Sequence, residues 1–225
     1  MTKSSFHWIG AAAALLVSLA CVSSIRAQEV ITPPQGKGHV VVFLSGMAGP
    51  KHDKALAEAI ASLGYVVVVY DGRHVEGGLG QKLRTDIQSA QQTPNALPGK
   101  VALVGVSFGG GFALAFGSRW PDLVAVDIAW YPATGFANKF PGFASRITVP
   151  VLMFAGEADH YHDCCLIATA RTLAANATTA GVPFELVTYP GVDHDFIKGG
   201  KNYNPSAYND ALDRTAAKLK TAFAN

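Results

Sequence analysis

Four consecutive valines, Val66 to Val69, stand between Tyr65 and Tyr70. No polar residue interrupts the run, so neither face of such a strand is suited to water. A strand apolar on both faces belongs inside a sheet that helices cover above and below. The rest of the chain repeats the theme. Residues 39–44, 101–106, 123–130, 149–155 and 184–189 also read as strands. Residues 53–63, 79–92, 108–117 and 164–180 read as helices, with Pro94 stopping the second of them. A last helix over 205–223 carries Leu212, Ala216, Leu219 and Phe223 on one stripe. Strand and helix in alternation predict an α/β fold, a mostly parallel sheet with helices on both faces. The longest irregular stretch, 131–148, holds Pro132 and Pro141 and is expected to carry a short helix or to wall a pocket.

Residues 1–27 stand apart from this pattern. Lys3 gives a positive start, residues 8–22 form an apolar run, and Ile25-Arg26-Ala27 sets a small residue before Gln28. That is the layout of a secretory signal peptide. The run falls short of the roughly 20 apolar residues a bilayer span needs. The expected organisation is a signal peptide at 1–27 and one domain at 28–225, exported to a periplasmic or extracellular space. Lipid attachment at Cys21 is disfavoured, because Ser18-Leu19-Ala20-Cys21 lacks the leucine-first box. The 18 basic residues exceed the 16 acidic ones only by Lys3 and Arg26 of the leader. A formally neutral mature chain gives no reason to expect nucleic acid or a membrane surface as partner. Outside the leader, cysteine is confined to the neighbours Cys164 and Cys165. Disulfide geometry usually asks for α carbons further apart than one peptide bond allows, so neighbours rarely bond, and the expectation is no disulfide framework and at least one buried free thiol.

Gly105-Val106-Ser107-Phe108-Gly109 joins the third strand to its helix. A G-x-S-x-G pattern alone is weak. On a sharp strand-to-helix turn it lifts the serine hydroxyl clear of the sheet, and glycines on either side relieve the crowding. A serine hydroxyl needs a base to take its proton and an acid to orient that base. Two later strands end in candidates: one runs into Gly156-Glu157-Ala158-Asp159, the other into Gly191-Val192-Asp193-His194. The order Ser107, Asp159, His194 is the one used on this kind of sheet. Glu157 and Asp163 compete for the acid, Asp163 also reading as a helix cap, and His160 and His162 compete for the base. The donors in 160–165 are too poorly spaced for a metal, and none is expected. The oxyanion hole is expected to use the backbone N–H of Phe108 and one from 45–49, Met47 first and Gly46 as the flanking alternative.

These stretches together resemble the α/β-hydrolase superfamily and, within it, the dienelactone hydrolase family. The resemblance covers nearly all of the mature chain and is most specific at Tyr189-Pro190-Gly191-Val192-Asp193-His194-Asp195-Phe196. It implies a compact sheet without a large lid. Two departures matter. The well-studied members carry cysteine where Ser107 stands, and a glutamate where Gly46 stands. Both fit a plain serine esterase. The family also carries arginines near the positions of Arg73 and Lys198 that help hold a substrate carboxylate, so these two are candidate substrate-binding cations. The expected activity is hydrolysis of small carboxylic esters or lactones through an acyl-enzyme, without a cofactor. A peptidase, a polyester hydrolase or a non-catalytic binding protein on the same fold are the alternatives.

Overall fold

The computed structural model describes residues 29–74, 78–140 and 142–224; the leader expected at 1–27 lies outside them. Among the described residues, seven strands form one sheet in the order β1-β3-β2-β4-β5-β6-β7. They are β1 (Glu29–Ile31), β2 (Val40–Leu44), β3 (Val66–Tyr70), β4 (Val101–Val106), β5 (Val124–Trp130), β6 (Val151–Gly156) and β7 (Phe184–Tyr189). All neighbours run parallel except β1, which pairs antiparallel with β3, Val30 opposite Val68. β2, β3, β4 and β6 are buried along their whole length.

Among the described residues, five α-helices cover the sheet: α1 (Pro50–Ser62), α2 (Gln81–Ala90), α3 (Ser107–Ala115), α4 (Ile167–Thr179) and α5 (Pro205–Ala222). Side chains alternate across a strand, so each strand feeds both faces. On one face Leu56 and Ile60 of α1 and Tyr208 and Leu219 of α5 pack on Phe43, Val104 and Trp130. On the other, Leu83 and Ile87 of α2 pack on Val42 and Leu103, and Leu173 of α4 packs on Met153. Among the described residues no helix is long and apolar enough to cross a membrane.

The predicted elements all appear, and the differences are local. β1 was not foreseen. The helix expected from Cys164 begins only at Ile167, with Leu166 at its cap, because 161–163 forms a separate single turn in which His162 and Asp163 are left-handed, φ 47° and 53°. Asp163 is therefore not the helix cap. The connection from β5 to β6 carries single helical turns at Ala137–Lys139 and Ala144–Arg146.

The cysteines are the clear correction. Cys164 and Cys165 are joined by a disulfide, with α carbons 3.8 Å apart. The expectation of at least one free thiol rested on the wider spacing usual for disulfides. The two left-handed residues just before the pair turn the chain sharply at this point.

Candidate active site

β4 hands the chain to α3 through a very tight turn. Ser107, the first residue of α3, is left-handed at φ 48°. A Cβ on Gly105 would lie 2.7 Å from the Gly109 carbonyl oxygen. A Cβ on Gly109 would run into the carbonyl oxygens of Leu44 and Ser45 at the end of β2. The two glycines let the backbones close up around a serine held in a strained conformation.

β5, β6 and β7 follow β4 across the sheet, so the loops beyond their carboxyl ends gather beside Ser107. His194 Nδ1 lies 2.7 Å from Asp159 Oδ2, and His194 Nε2 lies 3.0 Å from Ser107 Oγ. A carboxylate only accepts, so the ring proton sits on Nδ1 and Nε2 is free to accept from the serine hydroxyl. All three are buried: Ser107 is 8 % exposed, Asp159 2 % and His194 6 %. Asp159 Oδ1 also accepts the Tyr161 N–H at 3.0 Å. The Tyr161 ring stacks on the imidazole at 4.5 Å, and the Tyr131 ring meets it edge-on at 4.9 Å. The imidazole is thus fixed in tautomer, angle and plane.

The rivals lie elsewhere. Glu157 accepts from Thr188 at 2.8 Å and pairs with Arg171. Asp163 and His162 are exposed, and His160, also exposed, lines the cavity without bonding to Ser107 or Asp159. That cavity has a volume of about 290 Å³, with Ser107 and His194 in its wall and Met47 and Tyr161 among its exposed apolar groups.

For the oxyanion donors, Phe108 is the second residue of α3, where a backbone N–H has no helical acceptor. Gly46 N–H is already given to Asp53 Oδ2, at 2.7 Å. Met47 N–H has no acceptor among the described residues. Both open N–H groups belong to residues flanking Ser107, one in sequence and one across the β2–β4 pair.

Asp53 is a site residue that sequence reasoning missed. It is buried in the first turn of α1 and lines the cavity. Burial pushes its carboxyl up to about 6, against the pull of the Gly46 N–H bond and of His52. Tyr131, which opens the stretch expected to wall a pocket but was not singled out, lines the cavity with its hydroxyl buried and unpartnered, and burial raises it well above the ordinary phenol. His52 pairs with Asp195 at 3.0 Å, and that bond raises the imidazole.

The two cations expected to hold a substrate carboxylate are not brought to this cavity. Arg73 turns back on Asp71, Nε to Oδ1 2.9 Å, which holds the Asp71 carboxyl below its usual range. Lys198 is exposed and lines an adjoining groove beside Lys51 of α1, which shares Ala48 and His52 with the Ser107 cavity. Among the described residues, Lys201 lines the Ser107 cavity, as does His52.

The disulfide also reaches the site. Cys165 Sγ, a carboxylate oxygen of Asp159 and a ring nitrogen of His194 lie within 4.8 Å of one another. The set does not suit a metal: the sulfur is tied in the disulfide rather than free as a thiolate, and the other two groups are bonded to each other.

A model of the dienelactone hydrolase family matches residues 73–223. Protein usf of Aquifex pyrophilus is 24% identical over 217 residues, covering 85% of this chain and 91% of that protein. The propionate-bound esterase Est2 of Thermogutta terrifontis superposes with a TM-score of 0.66 at 19% identity, over 87% of this chain and 88% of that one. The same esterase phosphorylated by paraoxon superposes at 0.64, with 20% identity over 86% and 88% of the two chains. At these identities the solved structures speak for the shared fold.

Proposed function

We propose, for a chain that belongs to the dienelactone hydrolase family and is a carboxylic-ester hydrolase, that Ser107, His194 and Asp159 are its catalytic triad and that it cleaves small esters or lactones after export. The observation that carries this reading is the unbroken chain of hydrogen bonds from Ser107 Oγ through the imidazole to Asp159.

Ser107 Oγ attacks the acyl carbon while its proton passes to His194 Nε2. The Nδ1–H bond to Asp159 stabilises the imidazolium that results. The carbonyl oxygen gains negative charge and is held by the N–H groups of Phe108 and Met47. Collapse expels the alcohol, or opens the lactone, with His194 returning the proton to the leaving oxygen. Water then attacks the acyl-serine, giving its proton to His194, and the acid leaves as Ser107 is restored. Every proton moves between Ser107, His194, water and the substrate, so no cofactor enters. The small cavity favours a compact acyl or alcohol group, and Met47 and Tyr161 at its edge offer apolar contact.

Paraoxon, which phosphorylates the Thermogutta esterase, is the direct test. Intact mass should show one diethylphosphoryl group on the wild type, mapping to Ser107, and none on Ser107→Ala. Hydrolysis of a p-nitrophenyl ester should stop in step with labelling. An adduct elsewhere, or a fully labelled protein that still turns over, would overturn the assignment.

A further inference from the structure

A second cavity, about 520 Å³, shares no residue with the Ser107 cavity. It runs along α3, where Phe108, Phe112 and Phe116 follow one another at helical spacing. Phe136 and Phe143 of the β5–β6 connection face them and meet each other edge-on at 5.0 Å. A cavity of this size, so largely apolar, is of the order that small ligands occupy, about 300–1,000 Å³.

One end of it is unlike the rest. Arg119 and Arg146 both line it, and neither has a carboxylate within ion-pair reach among the described residues. The Arg119 guanidinium lies over the rings of Phe143 at 5.5 Å and Phe116 at 5.8 Å. Its Nε is buried and has no hydrogen-bond partner. Burial, and then the like charge of Arg146, lower the Arg119 pKa. Two cations sharing an apolar wall, one with an orphaned N–H, are complementary to an anion that itself carries an apolar body.

We propose that this cavity binds a monocarboxylate with an apolar tail, its head between Arg119 and Arg146 and its tail along α3 toward Phe108. A planar carboxylate matches the guanidinium fork and supplies the missing acceptor. Phe108 and Phe116 are eight residues apart on the helix line, about 12 Å, which sets the tail near that of a ten-carbon acid. The two unpaired guanidinium groups at one end of an apolar groove favour an amphipathic anion over a second copy of the chain. This site does not depend on the triad.

The test uses the full chain carrying Ser107→Ala, so that hydrolysis plays no part and the result stands whether or not the esterase reading does. Decanoate, below its micelle-forming concentration, is titrated calorimetrically against decan-1-ol. Decanoate should bind once per chain, at least tenfold more tightly than the alcohol, a difference of about 1.4 kcal/mol. Arg146→Gln, on an exposed side chain, should remove most of that preference while leaving alcohol binding intact. Ala115→Trp, which fills the middle of the groove, should abolish both. Equal affinities for the two ligands, no binding of decanoate, or binding indifferent to both substitutions would overturn the proposal. So would a dimer in solution that Ala115→Trp dissociates, because the groove would then be closed by a second copy.

Discussion

Asp53 accepts the Gly46 N–H from a position 2 % exposed, and its carboxyl is raised to about 6. The folded state therefore holds the proton more tightly than the unfolded chain. The stability this gives is fully present below about pH 4 and is lost as pH rises through 6. A rise from 3.8 to about 6 corresponds to about 3 kcal/mol. Asp53→Asn keeps an oxygen for Gly46 and carries no charge, so its melting temperature should exceed that of the wild type at pH 8 and approach it near pH 4. A variant less stable than the wild type at pH 8 would show that the carboxylate is needed ionised. For the proposed triad, His194→Ala should reduce kcat/KM on the order of 10⁵-fold and Asp159→Asn roughly 10⁴-fold, with the fold intact by circular dichroism. A milder loss from Asp159→Asn than from Glu157→Gln would remove Asp159 from its role. Ser107 and His194 were legible because a strained turn and a post-strand loop impose local sequence context. Asp53 was not, since a first-turn carboxylate looks alike whether it caps a helix or grips an active-site loop. Arg73 was misplaced for a related reason: the end of a strand fixes where a backbone goes, while the neighbouring Asp71 decided where the side chain went.

At the scale of elements, apolar runs and helical stripes revealed every parallel strand and every α-helix among the described residues, because burial on both faces leaves an unbroken apolar run and burial on one face leaves a period. β1 left none: three residues on an edge, with burial on neither face complete, are too few to show a period. Strand order was likewise invisible, since it depends on where each connection crosses rather than on composition. α5 shows how an element also serves the site. Its cap, Asn204, accepts the Ala207 N–H at 3.1 Å, and its own N–H donates to the Phe196 carbonyl, two residues beyond His194. Asn204→Ala removes the side-chain acceptor and spares the backbone bond. It should lower stability by about 1 kcal/mol, with Asn204→Asp restoring it and kcat unchanged well below the melting transition. A fall in kcat at low temperature would mean that the cap also positions the His194 loop.

For the whole molecule, the proposed export and the disulfide ask for the same surroundings. The cytosol keeps thiols reduced, whereas a periplasmic or extracellular space lets a disulfide persist. Among the described residues the sheet begins at Glu29, opposite Val69, one residue beyond the proposed first mature residue, Gln28. The structure carries Cys164 and Cys165 oxidised, with the Cys165 sulfur against Asp159 and His194. Exported protein should therefore begin at Gln28 and resist alkylation by iodoacetamide until reductant is added, when both cysteines should label. The same chain made in the cytosol from residue 28 should label at once. Intact mass reads processing and labelling together. Retention of residues 1–27, a lipid on Cys21, or ready alkylation of the exported protein would each break the link between compartment and disulfide.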